Sequence, residues 1–358
     1  MKILYLITGL GGGGAEKVVA DLADQMSLRG HSVKIAYLKG EVVVQPENKS
    51  IELIYLGLES LKDTKIAYLN YKKIILEFAP DVVHSHMVHA NLFARLARKF
   101  YSVPKLICTA HNSNEGGRLR MLFYRYTNYL SDFNTNVSRE ATEKFIKLKA
   151  FTKSAITIYN GINLDKFYNN NNLNKNNFTQ NGEKLILAVG RFNLQKDYPN
   201  LLIAIRKLKE TDQLKFKLII AGDGELRTLI EKSIVEFDLI DDVILLGRRD
   251  DIPDLMSIAD VFVLSSAWEG FGLVVAEAMA CETFVVATDC GGVKEVMGGF
   301  GQLVPIKNSD ILAEKLQYAL NLSTRERLTN NKNALKYVQD NFDLRHIIDQ
   351  WLSIYASK

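Results

Sequence analysis

No stretch of this amino-acid sequence approaches the ~20 consecutive apolar residues that a membrane-spanning helix needs. Cysteine is scarce: Cys108, Cys281 and Cys290 are the only three in 358 residues, each in or beside an apolar strand-like run. No metal-ligand spacing accompanies them, so they read as reduced structural thiols of a cytoplasmic protein, not as a disulfide framework or a zinc centre. A strong charge of one sign is missing as well. The net charge is +4, from 45 Lys+Arg and 41 Asp+Glu, and no nucleic-acid-binding signature appears, so nucleic acid is not an expected partner. The N-terminal Met1–Ile7 superficially looks like a signal peptide, but its short apolar run stops at a glycine cluster and fits a first strand better. With 47% apolar and 24% charged residues, the composition excludes disordered and fibrous classes. The length allows two domains, each with its own core.

Charge is uneven along the chain. Residues 1–165 hold 22 Lys+Arg against 15 Asp+Glu, and residues 166–358 hold 23 against 26. A basic half and an acidic half suggest different partners. Strand-like and helix-like patterns alternate in both. Residues 2–8, 33–38, 51–56, 81–84 and 105–109 read as strands, with helices over 15–28 and over 63–78 before Pro80. The alternation restarts with strands near 185–190, 216–221, 243–246, 261–265 and 283–287. Between the two series lies 168–177, a polar asparagine tract that cannot pack a core and reads as a linker or exposed loop. This pattern predicts an α/β protein with two mostly parallel sheets, each covered by helices on both faces. The expected parts are a first domain 1–165, an asparagine-rich linker 166–183, a second domain 184–340 and a terminal stretch 341–358. In the last, Ile347, Ile348, Trp351, Leu352 and Tyr355 mark an amphipathic helix, packed on its own domain or crossing back to the first.

Two stretches of the second half carry chemistry. In 260–278 an apolar strand leads into Trp268, Glu269, Gly270, Phe271, Gly272 and Leu273, and then into a helix that carries Glu277. A strand, a small-residue turn and a helix start gather free N–H groups and the helix dipole at one point, which suits an anion. The two carboxylates are eight positions apart, a little over two turns of a helix or about 12 Å. That separation suits an elongated ligand with a phosphate between two hydroxyl-bearing sugars, as in a nucleotide-sugar. In 185–192 a second apolar strand ends in Gly190 and Arg191, with Lys196 five residues on. Arg offers phosphate a planar fork and Lys a flexible charge, and strand ends are where open α/β sheets bind ligands. Each feature also has a plain reading: Glu269 as a dipole partner, Glu277 as a solvated helix residue, the cations as part of a solvated loop.

Taken in order, these stretches and several in the first half resemble glycosyltransferase family 4, retaining nucleotide-sugar enzymes of the GT-B fold. The resemblance covers nearly the whole chain. It rests on Gly11–Glu16, the run Asp81–His86, Thr109–Ala110–His111, Asn160–Gly161–Ile162, Gly190–Arg191 with Lys196, Gly222–Glu225, and the Glu269 to Glu277 signature. It implies two Rossmann-like domains facing a cleft, the first binding acceptor and the second donor. Arg191 and Lys196 would bind the donor diphosphate and Glu277 the ribose hydroxyls. Glu269 would address the transferred sugar, with backbone groups of Gly270, Phe271, Gly272 and Leu273 at its phosphates and ring. His111 would reach the sugar from the first domain, and the loop bearing Gly13, Gly14 and Glu16 would close over donor phosphate or acceptor. The implied reaction is transfer of a hexose from a nucleotide diphosphate, UDP-linked by default, to a hydroxyl of a lipid-linked saccharide, as in capsule, lipopolysaccharide or glycan assembly. No metal or other cofactor is expected. The segment 112–116, after His111, maps onto nothing in the family pattern.

Competing readings stand beside this one. Gly9–Gly14 formally satisfies the dinucleotide fingerprint G-x-G-x-x-G after a strand, which points to an NAD-dependent oxidoreductase, though so glycine-rich a run matches almost freely. A non-catalytic nucleotide-sugar binding protein needs the phosphate clamp but neither His111 nor Glu269. His84, His86 and His89 form a cluster without the carboxylate or Cys spacing of a metal site. Between 95 and 125 the cations are Arg95, Arg98, Lys99, Lys105, Arg118, Arg120 and Arg125 against the single carboxylate Glu115. From Arg118 they interleave with aromatic and aliphatic residues. That pattern fits reversible attachment to the inner face of an anionic membrane through Arg118, Arg120 and Arg125, or a core helix with snorkelling arginines.

Overall fold

The computed structural model describes every residue except Asn114, Asn171, Asn181, Asp212, Gln213 and Lys358. The chain divides into two compact units, Met1–Gly161 together with Leu344–Lys358, and Ile162–Asp343.

In the first unit the strands are β1 (Lys2–Ile7), β2 (Ser32–Tyr37), β3 (Glu52–Tyr55), β4 (Val82–His86), β5 (Lys105–Ala110), β6 (Phe133–Asn136) and β7 (Ile156–Thr157). They form one parallel sheet in the order β3-β2-β1-β4-β5-β6-β7. Parallel strands need crossovers, and helices supply them: Gly14–Leu28, Thr64–Phe78 and Val88–Ala97 follow β1, β3 and β4. One face buries Leu4, Leu6, Val83, Leu106 and Cys108 against the helices Thr64–Phe78 and Val88–Ala97. The helix Leu344–Ala356 belongs to this unit and lies beside Gly14–Leu28, tied to it by an ion pair between Arg29 and Asp349. It also buries Ile347, Ile348, Trp351 and Tyr355.

β6 was not legible in the sequence. It reads Phe-Asn-Thr-Asn, yet Asn134, Thr135 and Asn136 are buried. Their amide and hydroxyl groups satisfy a buried arginine and neighbouring strands, so polarity here marks a hydrogen-bonded interior. Arg95 is that arginine, with no exposed surface. It donates to the Tyr124 carbonyl and the Thr127 hydroxyl at 3.1 Å each, and to Asn134. Counted in the sequence among the cations of 95–125, Arg95 is an interior residue.

In the second unit the strands are β8 (Lys184–Val189), β9 (Phe216–Ala221), β10 (Val243–Gly247), β11 (Val261–Leu264), β12 (Phe284–Thr288) and β13 (Gln302–Val304). They too are all parallel, in the order β10-β9-β8-β11-β12-β13. Ile186, Leu218, Ile220, Val261, Val263 and Val286 of this sheet join a continuous apolar core with Leu201, Ile205, Leu312 and Leu316 of the covering helices. The tract expected as a linker, 166–183, belongs to this unit as well. Its asparagines cap turns instead of packing: Asn174 Oδ1 accepts from the Asn176 N–H at 2.9 Å. The tract is also anchored. Asn170 N–H donates to Ser257 at 3.2 Å, Asn172 to Asp254 at 3.1 Å, and Lys175 pairs with Asp260. Asn171 and Asn181 of that stretch lie outside the described residues.

Candidate active site

Both sheets reverse direction at their first strand. β1 lies between β2 and β4, and β8 between β9 and β11. In open α/β sheets such a switch point leaves a crevice at the carboxyl ends of the strands, where ligands bind. The residues singled out in the sequence cluster at these ends.

In the second unit, Gly190 and Arg191 follow β8 directly, and Ser265 to Glu269 follow β11. The two loops are stitched together: the Ala267 N–H donates to the Gln195 carbonyl at 2.8 Å and the Ser265 hydroxyl to the Lys196 carbonyl at 2.7 Å. Glu269 is 8% exposed. Its carboxylate accepts from Lys196 Nζ at 2.7 Å, from the Ser266 hydroxyl at 2.8 Å and from Gln195 Nε2 at 3.1 Å. The lysine expected at the donor diphosphate and the glutamate expected at the transferred sugar therefore hold each other. Arg191 differs. Its guanidinium is exposed and has no side-chain partner among the described residues. Gly222, after β9, leaves no room for a side chain, since a Cβ there would stand 1.9 Å from the Gly190 carbonyl oxygen. The helix Leu273–Ala280 begins after Gly272, whose φ of +88° suits glycine. That places the helix start close to Glu269 in the chain. Phe271 turns its ring into the interior, edge-on to Phe342 with centroids 5.3 Å apart, so only its backbone is available to a ligand. Glu277 lies buried inside the same helix, 4% exposed.

In the first unit, Gly13 caps the helix Gly14–Leu28 and Glu16 sits in its first turn. His84 and His86 alternate with Ser85 along β4, and Thr109 and His111 stand at the end of β5, all buried. His84 is fully engaged: Nδ1 meets the Tyr355 hydroxyl at 2.6 Å and Nε2 meets Thr109 Oγ1 at 2.7 Å. His86 Nδ1 meets His111 Nε2 at 2.9 Å. Burial depresses all three imidazoles, His84 and His86 well below the ordinary histidine range and His111 to about 4. A cavity bordered by Asp21, His86, Thr109, His111, Asn160 and Trp351 opens onto this cluster. Gly13, Gly14 and Glu16 are not in its lining. Among the described residues no group of His, Cys, Asp and Glu is gathered around a potential metal position.

The unmapped segment after His111 holds a structural link. Glu115 accepts the His111 backbone N–H at 2.8 Å on one oxygen and the Tyr124 hydroxyl at 2.6 Å on the other. The residue as a whole is only partly buried, but its carboxyl is enclosed, and desolvation pushes it up to about 7 against the lowering effect of these bonds. Tyr124 lies on the inner face of the helix Gly117–Thr127. The outer face exposes Leu119, Leu122, Phe123 and Tyr126 with Arg118, Arg120 and Arg125.

Residues 12–166 match the family described as Glycosyltransferase Family 4, and residues 169–335 match the family described as Glycosyl transferases group 1. An uncharacterized glycosyltransferase of Methanocaldococcus jannaschii is 32% identical over 74% of this chain and 73% of its own. The chain belongs to the family 4, group 1 glycosyltransferases. A relative from Campylobacter jejuni, 27% identical over 92% of this chain and 93% of its own, is the N-acetylgalactosamine-N,N'-diacetylbacillosaminyl-diphospho-undecaprenol 4-alpha-N-acetylgalactosaminyltransferase. Among solved structures, Anabaena Alr3699/HepE in complex with UDP-glucose matches with a TM-score of 0.85 at 20% identity, covering 100% of both chains. That likeness carries the fold, GT-B with two Rossmann-like parallel-sheet domains.

Within this glycosyltransferase, sequence reasoning located the strand-end cations and carboxylates but missed several supporting groups. Gln195, Ser265 and Ser266 hold the Lys196–Glu269 pair. Tyr355, from the far end of the chain, holds His84. The only sequence signal for the histidine cluster was the His-x-His alternation, which puts His84 and His86 on one face of β4.

Proposed function

We propose that the protein transfers a hexose from a UDP-sugar to a hydroxyl of a lipid-linked saccharide, with retention of anomeric configuration. The observation that carries this reading is the convergence of Arg191, Lys196, Glu269 and the Gly272-capped helix start around the ends of β8 and β11. Departure of a nucleoside diphosphate builds negative charge on phosphate oxygens. A free guanidinium and a helix N-terminus stabilise that charge without a metal ion. Lys196 is held by Glu269 and joins when a diphosphate competes for it. In a front-face substitution the anomeric C–O bond to phosphate breaks, and the acceptor oxygen bonds the same face. Its proton passes to the departing phosphate oxygen. Glu269 and Glu277 then serve as hydroxyl partners of sugar and ribose, and His111 as a neutral hydrogen-bonding group for saccharide.

The complex of Alr3699/HepE with UDP-glucose supports a UDP-linked donor, and the diphospho-undecaprenol acceptor of the Campylobacter relative supports a lipid-linked one. A lipid-linked acceptor in turn favours work at an anionic membrane surface. Among the described residues no helix is long and apolar enough to cross a membrane. The outer face of the helix Gly117–Thr127 offers aromatic and aliphatic side chains between exposed arginines, which suits reversible contact with the inner face. The test of the reaction is a panel of labelled UDP-sugars with UDP release as readout. Arg191→Ala is expected to lower the rate by roughly 10²–10³, and undiminished transfer would overturn the assignment. Binding across the panel without release or transfer would favour a non-catalytic nucleotide-sugar binder.

A further inference from the structure

His86 and His111 end adjacent strands, β4 and β5, with ring centroids 5.2 Å apart and Nδ1 of one 2.9 Å from Nε2 of the other. His86 is 0% exposed and His111 9%. Burial keeps both rings neutral near pH 7. A neutral imidazole carries one N–H and one lone pair, so the shared contact holds a single proton, and its owner decides what each outer nitrogen is.

The two assignments are not equivalent. If His111 donates from Nε2, His86 must carry its proton on its own Nε2. That atom is buried and has no hydrogen-bond partner among the described residues, so the proton would be a donor without an acceptor. If His86 donates from Nδ1, its Nε2 is a bare lone pair. In protein interiors an orphaned N–H is the rarer of the two defects. The surroundings agree: the His86 ring packs against the His84 ring at 4.0 Å and the Tyr5 ring at 5.8 Å, and the hydrogen-bonding atoms of both neighbours are engaged elsewhere, His84 by Tyr355 and Thr109 and Tyr5 by Tyr355.

We propose that His86 is a positioning residue for His111: its Nδ1–H donates to Nε2 of His111 and fixes the His111 tautomer whose Nδ1–H is left to donate to a saccharide hydroxyl. The saccharide part rests on the proposed transfer reaction; the tautomer does not. The role differs from catalysis, because His86 acts only through the ring it holds.

The experiment is a long-range ¹H–¹⁵N correlation spectrum of the full chain labelled in histidine, with the His111 signals assigned from their loss in His111→Gln. The expected result is a protonated-type Nδ1 and an unprotonated-type Nε2 for His111. The reverse pattern, or two averaged nitrogens, overturns the proposal. His86→Phe fills the space without an N–H. It should average the His111 nitrogens and lower kcat about tenfold or more, with KM for donor little changed. His86→Asn keeps an N–H near the position of Nδ1 and should restore the tautomer and most of the rate. If His86→Phe does not fold, the spectra of the unmodified protein and of His86→Asn decide the matter. A protein that transfers no sugar but shows the expected spectrum loses the transfer reading alone.

Discussion

The two units share a plan and differ in what stands at the ends of their strands. Each has a parallel sheet that reverses at its first strand. In the second unit the strand ends carry charge: Arg191 free in solvent, Lys196 and Glu269 paired at 2.7 Å, and a helix start after Gly272. In the first unit they carry neutral polar groups in the interior: His84, His86, Thr109 and Asn134–Asn136, most of them bonded to one another or to Tyr355 and Arg95. A diphosphate has to be met by charge at the edge of water. A saccharide hydroxyl needs fixed, neutral donors and acceptors with little freedom to move. Under the proposed reaction the same architecture would serve two kinds of recognition, and the two units differ in which polar groups are buried.

Two arginines put that contrast to its strongest test. Arg95 donates to Tyr124 O, Thr127 and Asn134, and its guanidinium lies 4.9 Å from the Tyr124 ring centroid. Arg95→Met leaves those acceptors unpaired inside the protein and is expected to destabilise the first unit by about 3–5 kcal/mol. Arg191 is exposed, so Arg191→Ala should stay within roughly 0.5 kcal/mol of the parent, although under the proposed reaction its transfer rate is expected to fall. Thermal melts of both variants beside the parent check this. Equal losses would show that the first unit does not depend on its buried polar groups, and the contrast would fail.

These arginines also show what was legible in the sequence. Alternating patterns located β1 to β5 and β8 to β12 to within a residue or two, because each is a short apolar or β-branched run between turn signals. Charged strand ends were legible for the same reason: Gly190, Arg191 and Glu269 interrupt an apolar background. The hydrogen-bond network of the neutral site was not. Arg95 looks like a surface cation because its acceptors come from residues 29 to 39 positions away. β6 looks like a loop because its polar side chains serve that arginine and its neighbours. The meeting of His86 with His111 joins positions 25 apart, and Tyr355 reaches His84 across 271. Side-chain hydrogen bonds have no period along a sequence, whereas packing does.

A smaller effect sharpens the comparison through pH. Glu115 carries the largest carboxylate perturbation at the first site, raised to about 7 chiefly by desolvation. Its ordinary value in the unfolded chain is near 4.5. A carboxyl whose folded value is raised contributes stability below the unfolded value and loses it as pH rises through the folded one. Between pH 6 and pH 8 the folded protein should therefore lose about 1.4 kcal/mol from this group, one pH unit on each side of its midpoint. Denaturant titrations across that range measure the slope, and Glu115→Gln should flatten it. A parent slope that survives in Glu115→Gln would assign the titration elsewhere. Because Glu115 holds the His111 N–H, the same ionisation should also change transfer rates near neutrality.

The smallest predicted effect concerns the outer face of the first unit. The helix Gly117–Thr127 turns Tyr124 inward to Glu115 and leaves Leu119 68%, Phe123 52% and Tyr126 68% exposed among Arg118, Arg120 and Arg125. Arg120 also donates to the Glu115 carbonyl at 3.1 Å, so Arg118 and Arg125 are the cleaner probes of surface charge. Near an anionic bilayer each cation is worth about 1 kcal/mol, which is about fivefold in affinity, and salt screens it. Co-sedimentation with phosphatidylserine-containing vesicles should weaken about fivefold for Arg118→Gln and again for the double variant with Arg125→Gln, and both losses should shrink at high salt. Phe123→Ser should weaken binding without changing its salt dependence, because it removes apolar area and no charge. Equal binding to neutral and anionic vesicles, or none to either, would leave the three arginines as solvated residues of a core helix. The first unit would then be specialised only at its buried site.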